Sequence, residues 1–245
     1  YARVAQWWST SLPRRGSRVR SPSRALLFKK SDFGFFFYII PQNRLLTGGY
    51  IMANILFINA CARPCSRTYL LAQPVLKKLK ALYDCNDITE VNLYKENLRP
   101  LDFEMLEKRS SSAAASDFSS PYFKYARQFA AADEIVIAAP YWDLSFPSIL
   151  RIYLEHVAIT GLTFEYNSDG IPVGLCNAKR ITYVTTSGGP VIAGNIGYNY
   201  IKTLAETFYK IPEVICFKAE NLDIAGNDAD KILNDSINLI EQYIF

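Results

Sequence analysis

The chain has 245 residues, of which 50% are hydrophobic and 20% charged, the balance of an ordinary globular protein of one or two domains. Its formal net charge of +4 is uneven, because residues 1–51 carry nine Lys/Arg and one Asp, whereas residues 52–245 carry 18 Lys/Arg and 22 Asp/Glu. Residues 52–245 are therefore mildly acidic, which argues against a nucleic-acid partner for them.

Residues 1–51 show no sustained helical or strand period. The apolar run Gly34–Ile40 has only seven residues, far fewer than the roughly 20 that a membrane-spanning helix needs, and no signal-peptide cleavage site follows it. The residues from Met52 onward are typical of a protein start, and the codons of Gly48-Gly49 can form a ribosome-binding sequence. We therefore expect translation to begin at Met52, with residues 1–51 a non-native or disordered leader and residues 52–245 a single domain.

From Ile55 onward, short apolar runs that indicate strands alternate with apolar residues at helical spacing. In chain order the predicted elements are strand Ile55–Asn59, a helix from Thr68, strand Ile88–Leu93, helix Tyr122–Ala131, strand Glu134–Ala139, helix Phe146–Thr160, strand Ile181–Thr185, helix Tyr198–Tyr209, strand Val214–Lys218 and helix Asp228–Tyr243. The segment Tyr94–Pro121 is predicted to be a long polar loop of the functional or lid-like kind. The alternation predicts an α/β fold, a doubly wound five-stranded parallel sheet with helices on both faces.

The loop after the first strand carries features of a phosphate site. In such sheets ligands bind beyond the carboxyl ends of the strands. Ser66 and Thr68 place hydroxyl groups at a helix start, where exposed N–H groups and the helix dipole favour an anion, and Arg63 and Arg67 add positive charge. Ordinary helix capping by Ser66 or Thr68 is the alternative, and no glycine-rich dinucleotide or P-loop fingerprint is present.

Two further loops leave the same predicted edge of the sheet. After the third strand, Tyr141 and Trp142 can lie along a planar ring, or alternatively pack on the next helix. After the fourth strand, Gly188 and Gly189 permit close backbone approach or positive φ, or alternatively form a tight turn. Together the three loops predict one binding site.

Other reactive residues are sparse. Cys61 and Cys65 are four apart, with no second cysteine pair and no nearby histidine, so we expect reduced thiols of a cytoplasmic protein and no metal site. The single histidine, His156, lies within a predicted helix and is expected to be structural, with a place near an acceptor pocket as the alternative. Tyr198 either lines that pocket or packs in the core or an interface.

The segment Ala132–Pro190 contains several motifs in a fixed order. They are a strand, P-x-[YW]-[ND]-[FL]-S, a helix, G-[LV]-T-F-x-Y, a turn, a strand and T-[TS]-x-G-G. In these motifs the chain from Ile55 to its C-terminus resembles the flavodoxin-like FMN-dependent NADH-azoreductases and the related NAD(P)H:quinone oxidoreductases. The resemblance implies FMN as cofactor, NADH or NADPH as electron donor, a quinone or azo acceptor, two-electron ping-pong hydride transfer, and a homodimer without nucleic-acid or membrane partners.

The resemblance also implies cofactor-binding residues. They are Arg63, Ser66, Arg67 and Thr68 at the phosphate, Pro140, Tyr141, Trp142, Asp143 and Leu144 along the isoalloxazine ring, and Thr186, Ser187, Gly188 and Gly189 at the other edge of the ring. Hydride transfer by a flavin needs no catalytic side chain, so Tyr198 and His156 remain only candidates for the acceptor pocket. The sequence departs from the family at Cys61 and Cys65, where serines are frequent, and at Ser187, where a larger or charged residue is usual.

Two alternatives remain open from the sequence. One is a flavodoxin-type electron carrier, and the other is a flavin-free binding protein of the same fold. The mild negative charge of residues 52–245 and the long Tyr94–Pro121 segment favour an enzyme with its own pocket, whereas Cys61 and Cys65 keep the flavin-free alternative open.

Overall fold

The computed structural model describes residues 53–83, 88–115, 117–192 and 194–245, so the predicted leader lies outside the described residues. The strands are β1 (Ile55–Asn59), β2 (Ile88–Asn92), β3 (Glu134–Ala138), β4 (Phe164–Tyr166), β5 (Pro172–Gly174), β6 (Arg180–Thr186) and β7 (Glu213–Ala219). The helices are α1 (Arg67–Tyr83), α2 (Phe103–Ala114), α3 (Lys124–Ala131), α4 (Ser148–Val157), α5 (Ile196–Leu204) and α6 (Ala229–Gln242). Short helical turns precede α3 at Pro121–Phe123 and extend α5 at Ala205–Tyr209.

Five strands form one parallel sheet in the order β2-β1-β3-β6-β7. The chain runs outward from β1 to β2 and then returns past β1 to β3, so the strand order reverses between β1 and β3. This is the order of the flavodoxin-like doubly wound sheet, whose ligands bind at the carboxyl ends of the strands beside that reversal. The predicted fold class is confirmed.

The two faces of the sheet have separate apolar cores. Phe57 and Val136 point to the face covered by α1 and α6, whereas Ile58 and Ile137 point to the face covered by α3, α4 and α5. Every residue of β1, β3 and β6 is buried, because helices cover both faces. Double burial explains why β1 and β3 are near-continuous apolar runs, whereas β6 also buries Arg180 and three threonines. The sequence predicts the ends of all three strands to within one or two residues.

The prediction of a long loop at Tyr94–Pro121 was wrong, because this segment contains α2. Asp102 begins the helix by accepting a hydrogen bond from the Met105 N–H at 2.8 Å, and Glu104 pairs with Lys108 one turn later. Much of α2 is exposed, so it lacks the regular apolar spacing that predicts a packed helix. The capping aspartate is the signal that marks its start.

The antiparallel hairpin of β4 and β5 was also not predicted. Its strands have three residues each, and its turn contains Asn167, whose side chain accepts the N–H of Ile171 at 2.9 Å, and Gly170 at a φ of +74°. Such short strands carry too few residues for a period to be seen. The predicted helix Phe146–Thr160 is shorter at both ends, because Pro147 stands just before α4 and the last turn stops at Val157.

A buried ion pair joins β3 to β6 at the amino end of the sheet. Arg180 donates from Nη2 and Nε to the two carboxylate oxygens of Glu134, at 2.9 and 3.1 Å, and the Tyr83 hydroxyl donates to the same carboxylate at 2.6 Å. The Arg180 and Glu134 side chains are 7% and 1% exposed. In a buried ion pair, removal of one partner leaves the other charge without compensation in the protein interior. The cost of such an unpaired charge is larger than the net contribution of the intact pair to stability.

We therefore expect Arg180→Met to lower the free energy of unfolding by about 3–5 kcal/mol, because it leaves Glu134 charged, buried and without its cation. Urea denaturation of the purified variant measures this. Lys202→Met is the control, since it breaks an exposed pair with Glu206 that is worth about 0–1 kcal/mol. A loss for Arg180→Met no larger than that of the control would contradict the prediction.

Candidate active site

A cleft with a volume of about 350 Å³ opens at the carboxyl ends of the parallel strands. Small-molecule sites commonly have volumes of about 300–1,000 Å³. The cleft is lined by Ala62, Arg63, Cys65, Ser66, Arg67, Thr68, Pro140, Tyr141, Trp142, Thr186, Ser187, Gly188, Leu222 and Asp223. These residues come from the loops after β1, β3, β6 and β7, from the first turn of α1 and from the last residue of β6, so the strand ends do meet in one site.

Most of the residues selected from the sequence lie in this cleft. Ten of the thirteen do so, the exceptions being Asp143, Leu144 and Gly189. Leu222 and Asp223, which follow β7, also line the cleft and were not predicted from the sequence. The signal was available, because β7 is parallel to β6 and its loop leaves the sheet at the same edge.

The loop after β1 is fixed at both ends by side-chain hydrogen bonds. The Asn59 carboxamide oxygen accepts the N–H of Cys61 at 3.0 Å, and Ser66 Oγ lies 3.4 Å from the N–H of Tyr69 in the first turn of α1. The Thr68 hydroxyl is buried and lies 2.6 Å from the Thr186 hydroxyl. The two threonine hydroxyls thus join the first turn of α1 to the end of β6. The distance of 3.4 Å between Ser66 Oγ and the Tyr69 nitrogen is long for a hydrogen bond, so this contact is the weaker of the two.

The loop after β3 contains a two-residue reverse turn. Trp142 and Ser145 exchange backbone hydrogen bonds of 3.1 and 2.8 Å, while Asp143 and Leu144 adopt φ values of 48° and 67°. Positive φ at both central positions matches a type I′ turn, and it is unfavourable for leucine. The N–H of Tyr141 donates to the carbonyl oxygen of Thr186 at 3.0 Å, which fastens the turn to β6 and leaves Trp142 40% exposed at the cleft.

Of the two glycines after β6, only Gly188 serves a close approach. Neither glycine has positive φ. A Cβ atom on Gly188 would overlap the Asp223 carboxylate, whereas one on Gly189 would meet nothing within 4 Å. Ser187 Oγ donates to the Gly189 carbonyl oxygen at 2.6 Å and closes this loop on itself.

Tyr198 and His156 lie outside the residues that line the cleft. The Tyr198 hydroxyl donates to the Val214 carbonyl oxygen at 3.0 Å, and its ring packs against the core. His156 is buried, and its Nε2 lies 2.8 Å from the Arg99 carbonyl oxygen. Because a carbonyl oxygen only accepts, Nε2 carries a proton and joins α4 to the segment before α2.

The two cysteines of the first loop differ in environment. Cys61 is buried with its Sγ 3.7 Å from the Ala138 carbonyl oxygen, and burial raises the pKa of its thiol to about 11. Cys65 is exposed and lines the cleft. Of the two positions at which the family often has serine, only position 65 lines the cleft. The cysteine in place of serine therefore removes a hydroxyl group from the cleft only there.

The described part of the chain also shows two absences. It contains no group of three or more His, Cys, Asp or Glu residues placed to hold a metal ion. None of its helices is long and apolar enough to cross a membrane. Cys85 is not among the described residues.

Residues 53–242 match the Flavodoxin_2 family, which is described by its flavodoxin-like fold. The chain belongs to this family. One relative, the FMN-dependent NADH:quinone oxidoreductase of Coprothermobacter proteolyticus, is 33% identical over 198 residues, which are 78% of this chain and 98% of the relative. FMN-dependent NADH:quinone oxidoreductase 2 of Clostridium acetobutylicum is 34% identical over 193 residues, 76% of this chain and 95% of that protein. The resemblance inferred from the motifs is confirmed.

Two solved structures share the Flavodoxin_2 fold. The azoreductase from Bacillus anthracis str. Sterne is 23% identical, with a TM-score of 0.65, over 78% of this chain and all of that one. The FMN-dependent NADH-azoreductase from Bacillus anthracis str. Ames Ancestor, in complex with FMN, is 21% identical, with a TM-score of 0.66, over 78% of this chain and 97% of that one.

Thiol alkylation should distinguish the two loop cysteines. Because the thiolate is the reacting form, the raised pKa and burial of Cys61 should keep it unmodified at neutral pH, whereas exposed Cys65 should react. Iodoacetamide treatment of the folded protein, followed by peptide mass mapping, measures each site. The urea-unfolded chain is the control, in which both should react, and similar rates at both sites in the folded protein would refute this assignment.

Proposed function

We propose that this protein is an FMN-dependent NADH:quinone oxidoreductase that also reduces azo compounds. The observation that carries the proposal is the single cleft at the carboxyl ends of the strands, with cationic and hydroxyl groups from the first loop and aromatic side chains from the second. Two relatives that bear this name align over 98% and 95% of their own length, with 33% and 34% identity. NADH is the proposed donor because both names specify it.

The donor set of the cleft fits the chemistry of FMN. Arg63, Arg67 and Ser66 lie at the start of α1, where N–H groups without helical partners favour a phosphate. Tyr141 and Trp142 offer aromatic surface for a flat ring system.

The protein would hold FMN by its phosphate and orient its ring. Bound FMN supplies two-electron hydride chemistry, which the side chains position and tune. In the ping-pong scheme that we propose, the nicotinamide and the acceptor occupy the same face of the cleft in turn. Asp223 is the one carboxylate among the lining residues, and it is paired with Arg67, so no lining side chain is assigned as acid or base.

The proposal predicts a three-step spectroscopic result. The purified full-length chain should bind FMN, NADH should bleach the bound flavin under anaerobic conditions, and a quinone or azo dye should restore its colour. Visible absorption and stopped-flow measurements follow each step, with riboflavin and no donor as blanks. Failure to bind FMN would overturn the proposal of an FMN-dependent enzyme and leave a flavin-free binding protein as the alternative. Bound flavin that NADH cannot reduce would indicate an electron carrier.

We also propose that the protein is a cytoplasmic homodimer. The support for the dimer is a group of exposed apolar side chains near the cleft. They are Trp142, Leu144, Ile192 and Ile196, which are 40–57% exposed. Their burial in an interface would complete the cleft with residues of a second copy.

Light scattering after gel filtration should give twice the chain mass for the wild-type protein. Ile196→Asp should shift the measured mass toward that of the monomer, because it places a charge in the apolar interface. A wild-type monomer at micromolar concentration would contradict the dimer.

A further inference from the structure

Asp223 follows β7 and lines the cleft opposite the start of α1. Its backbone is held by the loop after β6, because its N–H donates to the Gly188 carbonyl oxygen at 2.9 Å and the neighbouring Leu222 N–H donates to Ser187 at 3.1 Å. The Asp223 side chain therefore stands on a supported backbone.

The Asp223 carboxylate contacts two different loops. Its Oδ1 accepts a hydrogen bond from Arg67 Nη1 at 2.7 Å, and its Oδ2 lies against Gly188, where any Cβ atom would overlap it. Glycine at position 188 thus makes room for a carboxylate that reaches the first residue of α1. This contact accounts for glycine at position 188, which does not have a positive φ.

Arg67 keeps most of its donor capacity in this arrangement. A guanidinium carries five N–H donors, and within the described part of the chain Nε and Nη2 of Arg67 have no hydrogen-bond partner. The side chains of Arg67 and Asp223 are 43% and 67% exposed, so their ion pair contributes little to stability. An arginine whose rotamer is already fixed loses less conformational freedom when it binds an anion.

We propose that Asp223 is a positioning residue that holds the Arg67 guanidinium in the cleft so that its remaining donors bind the phosphate of FMN. The proposal rests on the proposed function, since FMN is the ligand that supplies the phosphate. Asp223 itself carries negative charge near that anion, so the positioning effect must exceed the repulsion. If Asp223 positions Arg67, removal of the carboxylate charge weakens FMN binding, whereas if repulsion dominates, FMN binding becomes tighter.

The test compares two flavins that differ only in the phosphate. Dissociation constants of FMN and riboflavin are measured by fluorescence quenching on the full-length apoprotein. Asp223→Asn should weaken FMN binding about threefold to fivefold, which is as much as an exposed ion pair can supply, and should leave riboflavin binding unchanged, because only the contact to the phosphate is affected. Arg67→Gln should act similarly, and the double variant should be no weaker than Arg67→Gln alone, since Asp223 acts through Arg67.

Two control variants separate positioning from general damage. Glu155→Gln breaks an exposed Arg151–Glu155 pair of 3.0 Å away from the lining residues and should leave both constants unchanged. Trp142→Ala should weaken both flavins alike, because it removes aromatic surface and not a phosphate contact. An unchanged FMN-to-riboflavin ratio in Asp223→Asn, or tighter FMN binding, overturns the positioning role. A wild-type protein that binds neither flavin overturns the proposed function as well.

Discussion

Parallel pairing in register is the constraint on which the cleft depends. Hydrogen bonding aligns the last residues of β1 and β3, and those of β6 and β7, while β6 extends two residues beyond β3. The connections after all four strands therefore leave the sheet at the same edge. Strand alignment alone therefore brings together loops that are far apart in sequence. The reversal of strand order between β1 and β3 separates the two loops enough to leave room for a ligand.

Thr186, the last residue of β6, joins these loops. Its hydroxyl is 2.6 Å from that of Thr68 at the start of α1, and its carbonyl oxygen accepts the N–H of Tyr141 from the loop after β3. The residue is 91% buried, so both bonds lie largely away from water, where unpaired groups would be costly. One threonine therefore links the start of α1 to the aromatic end of the cleft, and the Arg67–Asp223 pair adds a link to the loop after β7.

The sequence was sufficient for the sheet and most of the cleft because both follow from strong local patterns. Buried strands such as Ile135–Ala138 are apolar throughout, and the rule for strand ends then selects Ser66, Tyr141 and Gly188. The helix α2 escaped notice because it has little apolar face to display. The reason for Gly188 was equally hidden, since the carboxylate that fills its space is 35 residues away in the chain and depends on tertiary packing.

The buried pair of Glu134 and Arg180 sits at the amino end of β3 and β6, whereas the cleft occupies their carboxyl end. The buried ion pair and the cleft in which we propose that FMN binds thus lie at opposite ends of the same strands. Substitutions in the loops around the cleft can accumulate while the sheet remains anchored from the other side. Such a separation favours evolvability: this scaffold can drift among acceptors without first having to acquire a more stable core.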